Sequence, residues 1–156
     1  MSNIITIRPA ESRDAQMIAE FNAAMALETE DLTLDFPRVR AGVEAVLGDA
    51  SKGFYLAAES EGGVVGQLMV TFEWSDWRNG VFWWIQSVYV QPDSRGQGVY
   101  KALYAETQRR AAEAGNVCGI RLYVEHENRR AQQAYERLGM KNTAYHLYEV
   151  DFVINR

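Results

Sequence analysis

Val88-Tyr89-Val90-Gln91-Pro92-Asp93-Ser94-Arg95-Gly96-Gln97-Gly98-Val99-Tyr100-Lys101 reads as a β-strand that stops at a proline, crosses a glycine-studded loop and opens a helix. The first N–H groups of a helix lack intrahelical partners and carry a partial positive charge. Glycines at 96 and 98 allow an anion to approach that backbone closely. The stretch therefore suits a phosphate or pyrophosphate. No Gly-Lys-Ser/Thr follows, so it is not a P-loop. Its strand also comes late in a meander rather than first in a βαβ unit, which argues against a dinucleotide fingerprint.

Upstream, Ile4–Ile7 is a β-branched run ended by Pro9 and predicts a first strand. Ala15, Ile18, Ala19, Asn22 and Met25 recur at helical spacing, predicting a helix over Ser12–Leu27. Glu28-Thr29-Glu30-Asp31 forms an acidic break, and a second helix follows Pro37 with Val39, Val43, Val46 and Leu47 on one stripe. Phe54–Ala58, Val64–Trp74 and Val81–Val90 then predict an antiparallel meander. Glu61-Gly62-Gly63 and the hairpin signal Asn79-Gly80 are its turns, and Gly66 marks a bulge or close approach. Downstream, Tyr100, Leu103, Tyr104, Thr107, Ala111 and Ala114 form a helical stripe closed by Gly115. Val117–Val124 follows as a strand parallel to the one ending at Val90, because a helical crossover separates them. Asn128 caps a short helix bearing Ala131, Ala134, Tyr135 and Leu138. Tyr145–Phe152 closes the sheet. The order is βααβββαβαβ, a mixed α/β (α+β) sheet with helices on its faces.

With 156 residues the chain is expected to form one domain, residues 1–156. A net charge of −5 argues against a dedicated nucleic-acid binder. The single cysteine, Cys118, rules out an internal disulfide and reads as a strand residue. His126 and His146 lack ligand spacing, so no metal site is expected. No signal peptide or membrane-spanning run is visible, and a soluble, cytoplasmic protein is the expectation.

The glycine loop and the later Asn128-x-x-Ala131-x-x-x-Tyr135-x-x-x-Gly139-Met140 stand in the order and spacing seen in the GNAT superfamily of N-acetyltransferases. The resemblance is to that family's Gln/Arg-x-x-Gly-x-Gly/Ala loop and Asn…Ala…Tyr…Gly-Phe segment, and the element order extends it over nearly the whole chain. It implies an acyl-CoA N-acyltransferase fold in which Trp84–Val90 and Val117–Val124 splay apart at their C-terminal ends. It implies acetyl-CoA as donor, with the pantetheine arm along Val88, Tyr89 and Val90. The pyrophosphate would lie over Arg95, Gly96, Gln97, Gly98, Val99, Tyr100 and Lys101, with Asn128, Ala131 and Tyr135 also on the cofactor. Tyr135 would protonate the departing thiolate, a role that suits a phenol whose proton is retained at neutral pH. A backbone N–H near Val88 or Tyr89 would polarise the acetyl carbonyl.

Three positions depart from the family pattern. Tyr100 stands where the loop usually ends in Gly or Ala, so its ring must point away from the phosphates. Met140 replaces the usual Phe. Similar diamine acetyltransferases carry an acidic pair where this chain has Gln86 and Ser87, so their substrate does not transfer. The general base is therefore Glu28, Glu30 or Glu73, or the amine arrives through a water chain. Glu28, Glu30, Glu73, Trp84 and Gln86 are the candidate acceptor-binding residues. Of Trp74, Trp77, Trp83 and Trp84, the adjacent Trp83 and Trp84 must face opposite sides of the sheet; one belongs in the core. The expected activity is acetyl transfer to a primary amine of a small molecule by direct attack in a ternary complex. A protein or peptide acetyltransferase and a non-catalytic CoA-binding module are the alternatives. A homodimer is expected from family habit and the tryptophan-rich hairpin.

Overall fold

The computed structural model describes residues 4–155. These divide into two compact units, the first running to Leu122 and the second starting at Tyr123.

The first unit is a five-stranded sheet in the order β1-β2-β3-β4-β5. Its strands are β1 (Thr6–Pro9), β2 (Phe54–Ser60), β3 (Gly63–Ser75), β4 (Gly80–Val90) and β5 (Val117–Arg121). The first four pair antiparallel. β4 and β5 pair parallel across the helix α3 (Val99–Ala114), while α1 (Ala15–Glu30) and α2 (Phe36–Gly48) connect β1 to β2.

Strand alternation assigns the faces. Tyr55 and Met69, paired across β2 and β3, pack with Ala15, Ile18 and Ala19 of α1 and Val43 of α2. On the other face Val99, Leu103, Tyr104 and Thr107 of α3 are buried. Gly66 lies under Val99, so close that a Cβ there would sit 2.9 Å from Val99 Cγ1; the glycine marks a close approach, as its place in an apolar strand predicts. Arg8 ties β1 to the start of α1 through paired bonds to Asp14 (2.8 and 2.9 Å) and a third to Glu59 (2.8 Å).

Several boundaries differ from the sequence expectation. The first strand is Thr6–Pro9 rather than Ile4–Ile7. Proline is tolerated at its end because β1 is an edge strand. α1 opens after a short 3-10 turn, Ser12–Asp14, and continues through Glu28, Thr29 and Glu30. Glutamate is a good helix former, and Thr29 Oγ1 donates to Met25 O (2.8 Å) within the helix. Only Asp31, in the left-handed region at φ +50°, ends it. β5 stops at Arg121, short of Val124.

The second unit contains α4 (Arg129–Arg137), whose N-cap is Asn128 as expected: its Oδ1 accepts from Ala131 N at 3.2 Å. Gly139, at φ +92°, follows its end. The closing strand expected at Tyr145–Phe152 is not formed; among the described residues this stretch has no regular structure. Alternation supplies a face but no ladder partner, and without one a strand does not exist. Asp151 instead turns the chain locally, accepting from Val153 N and Ile154 N at 2.8 Å each.

Candidate active site

The parallel β4–β5 ladder runs from Val81↔Val117 to Trp84↔Arg121 and stops. β4 continues for six more residues, Ile85–Val90, paired only with β3. At about 3.3 Å per residue this leaves roughly 20 Å of strand edge that, among the described residues, has no neighbouring strand on the β5 side. The ladder ends because β5 itself ends at Arg121, so the expected divergence of two longer strands gives way to a short β5 beside a longer β4.

Within that edge β4 is bulged. Gln67 pairs with Tyr89 and Met69 with Gln86, so Ser87 and Val88 together oppose Leu68. Ser87 takes a left-handed backbone at φ +51°, a conformation that non-glycine residues adopt at a cost. An extra residue at a bulge leaves the ladder and re-aims its neighbours. Val88 is half-buried and Tyr89 is buried, the latter with its ring 5.0 Å from that of Phe21.

The edge leads into the glycine loop. Gly96 and Gly98 have φ of +77° and +82°, and a Cβ on either would meet nothing within 4 Å. Gly98 is the N-cap of α3, and no side chain caps the helix. The first-turn N–H groups of a sixteen-residue helix thus have no side-chain cap, and the two glycines before them are exposed, a setting that suits a diphosphate. Gln97 stiffens the loop by donating to Asp93 O (3.1 Å). Tyr100 lies beside Tyr104, ring centroids 6.2 Å apart, while Val99 is buried and Lys101 exposed.

Arg95 is brought together with Glu28. Its guanidinium donates to both carboxylate oxygens (2.5 and 2.9 Å) and its Nε to Val90 O (2.9 Å). It also lies 5.6 Å from the Tyr89 ring centroid. The Arg95 hydrogen bonds hold the Glu28 carboxyl below its ordinary range. Glu28 is in this state a weaker base than a free glutamate. Glu30, the last residue of α1, is exposed.

Where the β4–β5 ladder stops, a second cluster forms. Glu73 accepts from Trp84 Nε1 (2.8 Å) and, with both oxygens, from Arg121 (3.2 and 3.3 Å). Arg121 stacks over the Phe82 ring at 3.5 Å. Gly119 makes room for that ring, since a Cβ there would come within 2.4 Å of it. Gln86 donates to Thr71 Oγ1 (2.5 Å). Trp83 is the tryptophan of the pair that enters the core, 5.2 Å from Phe54 and 6.3 Å from Phe72 between ring centroids. Trp74 and Trp77 are exposed.

Asn128, Ala131 and Tyr135 lie in the second unit. Burial raises the Tyr135 phenol above its ordinary pKa, so its proton is retained at neutral pH. Sequence reasoning missed Arg121, hidden in a short strand, and Gln67. Gln67 did carry a signal: it is a lone polar residue at an inward position of an apolar strand, between Val65 and Met69.

The family model for the GNAT acetyltransferases matches residues 17–140. A solved structure of a possible acetyltransferase from Clostridium difficile 630 is 42% identical, with a TM-score of 0.88 over 97% of this chain and 99% of that one. A predicted acetyltransferase from Clostridium acetobutylicum, solved with acetyl-CoA, is 18% identical with a TM-score of 0.77 over 96% of this chain and 97% of its own, a likeness of fold. A curated relative, mycothiol acetyltransferase from Corynebacterium aurimucosum, is 29% identical over 139 residues, 87% of this chain. The chain spans about half of that relative's length, 45%. With most of the chain matched by the family model, and with an open β4 edge leading to a helix start that no side chain caps, the chain belongs to the GNAT acetyltransferase family, whose acyl donor is acetyl-CoA.

Proposed function

We propose that this chain is an N-acetyltransferase that moves the acetyl group of acetyl-CoA to a primary amine of a small molecule by direct attack in a ternary complex. The observation that carries the reading is the continuous path from the open β4 edge, through the Ser87–Val88 bulge, to the uncapped start of α3. The family match crosses from the first unit into the second, which supports a single catalytic domain.

Acetyl-CoA, when bound, supplies an activated acyl thioester. Val88, Tyr89 and Val90 offer backbone groups to its extended arm, and Arg95–Lys101 offer N–H groups and positive charge to its diphosphate. An N–H at the bulge polarises the acyl carbonyl. Asn128 and Ala131, of the second unit, are assigned to donor binding by the family's Asn…Ala…Tyr pattern that they match. Tyr135, its proton kept by burial, gives that proton to the leaving sulfur.

Glu28, Glu30, Glu73, Trp84 and Gln86 form the acceptor side. Glu28 acts as a base only where Arg95 lets go of it, and Glu73 is held by Trp84 and Arg121. These pairings favour a water chain as the taker of the amine proton, with the carboxylates shaping the pocket and attracting the cationic acceptor before it is deprotonated. The exposed Phe72, Trp74 and Trp77 support a homodimer, which sedimentation tests.

The test is CoA thiol release from acetyl-CoA against a panel of amines, amino acids, aminoglycosides and peptides. Turnover with a small amine, lowered by roughly 10²- to 10⁴-fold in Tyr135→Phe, is expected. Turnover confined to peptides supports the protein acetyltransferase. CoA binding with no turnover on any acceptor supports the binding module and refutes the enzyme.

A further inference from the structure

Gln67 is fully buried on β3, on the face that α1 covers. Its Nε2 donates to Asn22 Oδ1 of α1 (2.9 Å) and to the carbonyl of Ser87 (3.1 Å). Asn22 is buried too and hydrogen-bonds the hydroxyl of Tyr55. A polar relay therefore runs through the apolar core from β2 and α1 to one peptide group of the β4 bulge. Gln67 Oε1 is buried with no hydrogen-bond donor among the described residues. A buried unsatisfied oxygen is costly, so an apolar residue here would suit stability better than this amide does.

The geometry of a trans peptide says what the amide achieves. The chain has no cis bonds among its described residues. In a planar trans peptide the C=O of one residue and the N–H of the next point in opposite directions. Gln67 draws the Ser87 carbonyl towards itself, towards β3 and α1. The Val88 N–H of the same peptide group is thereby turned away from β3, towards the side of β4 that lacks a neighbouring strand. Ser87 must adopt a left-handed backbone for this, and the Gln67 hydrogen bond holds it there.

We propose that Gln67 is a positioning residue for acyl transfer: by gripping the Ser87 carbonyl from inside the core, it aims the Val88 N–H at the acyl carbonyl of the donor. The inference rests on the reading of the β4 edge as the donor slot. It extends that reading to a side chain that touches neither donor nor acceptor. The relay also links the bulge to α1, the helix that carries Glu28 and Glu30 on the acceptor side.

Isotope-edited infrared spectroscopy of ¹³C-acetyl-CoA reads this without knowledge of the acceptor. Bound to the wild-type protein, the thioester carbonyl stretch should fall below its value in free acetyl-CoA, because an N–H donates to it. Gln67→Met keeps a linear side chain of similar size and removes the donor. The downshift should largely disappear while the dissociation constant for CoA, which has no acyl carbonyl, changes by less than about threefold. Adding Ser87→Gly, which accepts a left-handed backbone without strain, should restore part of the downshift. An unchanged downshift in Gln67→Met overturns the proposal, as does a loss of CoA affinity in step with the spectral change. Should Gln67→Met not fold, Asn22→Ala loosens the same amide from the α1 side and should give a smaller loss; no loss there overturns the proposal equally. Wild-type protein that does not bind acetyl-CoA refutes the donor-slot reading itself, and the role of Gln67 with it.

Discussion

Replacing Gly66 by alanine tests whether β3 sets the position of the α3 N-terminus. The added Cβ would lie 2.9 Å from Val99 Cγ1, 3.1 Å from the Tyr89 carbonyl oxygen and 3.5 Å from Val90 Cγ2. Ordinary carbon contacts lie near 3.5–4.0 Å, so two of the three distances are too short. The Tyr89 carbonyl belongs to the sheet backbone and cannot move independently. Val99 is β-branched and in a helix has one strongly preferred rotamer, so its methyl cannot simply swing aside. The strain is relieved by lifting the first turn of α3 off the sheet. Overpacking of this kind costs about 1–3 kcal/mol. At about 2–4 °C per kcal/mol for a domain of this size, Tm should fall by several degrees. The displaced turn is also the proposed diphosphate cradle, so CoA should bind more weakly as well. Differential scanning fluorimetry and calorimetric titration with CoA measure the two effects. Gly42→Ala is the control: Gly42 is exposed in α2 with nothing within 4 Å of its Cβ position, so alanine should stabilise by about 0.5–1 kcal/mol and leave CoA binding alone. A Gly66→Ala protein with unchanged Tm and unchanged CoA affinity would refute the argument that this contact seats α3.

Two further perturbations probe the ion pairs. The Asp14 carboxyl is held below its ordinary range chiefly by hydrogen bonds from Arg8. Folding therefore favours the ionised form, and the stabilisation is full above the unfolded-state pKa of about 3.9. It is lost as pH falls from there through the lowered native value. Arg8→Met should flatten the acid limb of a Tm-against-pH curve below about pH 4; an unchanged slope contradicts the clamp. Glu28→Gln should change stability by less than about 1 kcal/mol, since the pair is solvent-accessible. It should tighten CoA binding by freeing Arg95 for phosphate. Weaker CoA binding in that variant would mean that Glu28 holds the loop in its binding shape instead of competing for the arginine.

The strands and helices up to Gly115 were legible because their periodicities are clean and their turns are marked by Gly62-Gly63 and Asn79-Gly80. The glycine loop was legible because backbone chemistry, more than any side chain, defines an anion cradle. Boundaries slipped where propensity and punctuation disagree. Pro9 looked like a stop but sits at the end of an edge strand, and Glu28–Glu30 looked like a break although glutamates extend helices. The alternating segment Tyr145–Phe152 shows the limit of pattern: pairing is non-local and has no signature in the strand itself. Gln67 touches neither donor nor acceptor in this assignment, so no substrate chemistry points to it. Its role depends on the Ser87 backbone, a conformation that serine does not advertise. Glu28 and Glu73 read from the sequence as base candidates; that both are paired is not legible there, because Arg95 and Arg121 are 67 and 48 residues away in sequence.

Hydrogen exchange on adding acetyl-CoA reads the very backbone N–H groups to which the donor is assigned. New protection is expected at Val88–Val90 and in the loop and first turn of α3, Arg95–Lys101, with the far end of α3 unchanged. Saturation with acetyl-CoA that leaves those amides exchanging as before, with protection elsewhere on the chain, would contradict that assignment.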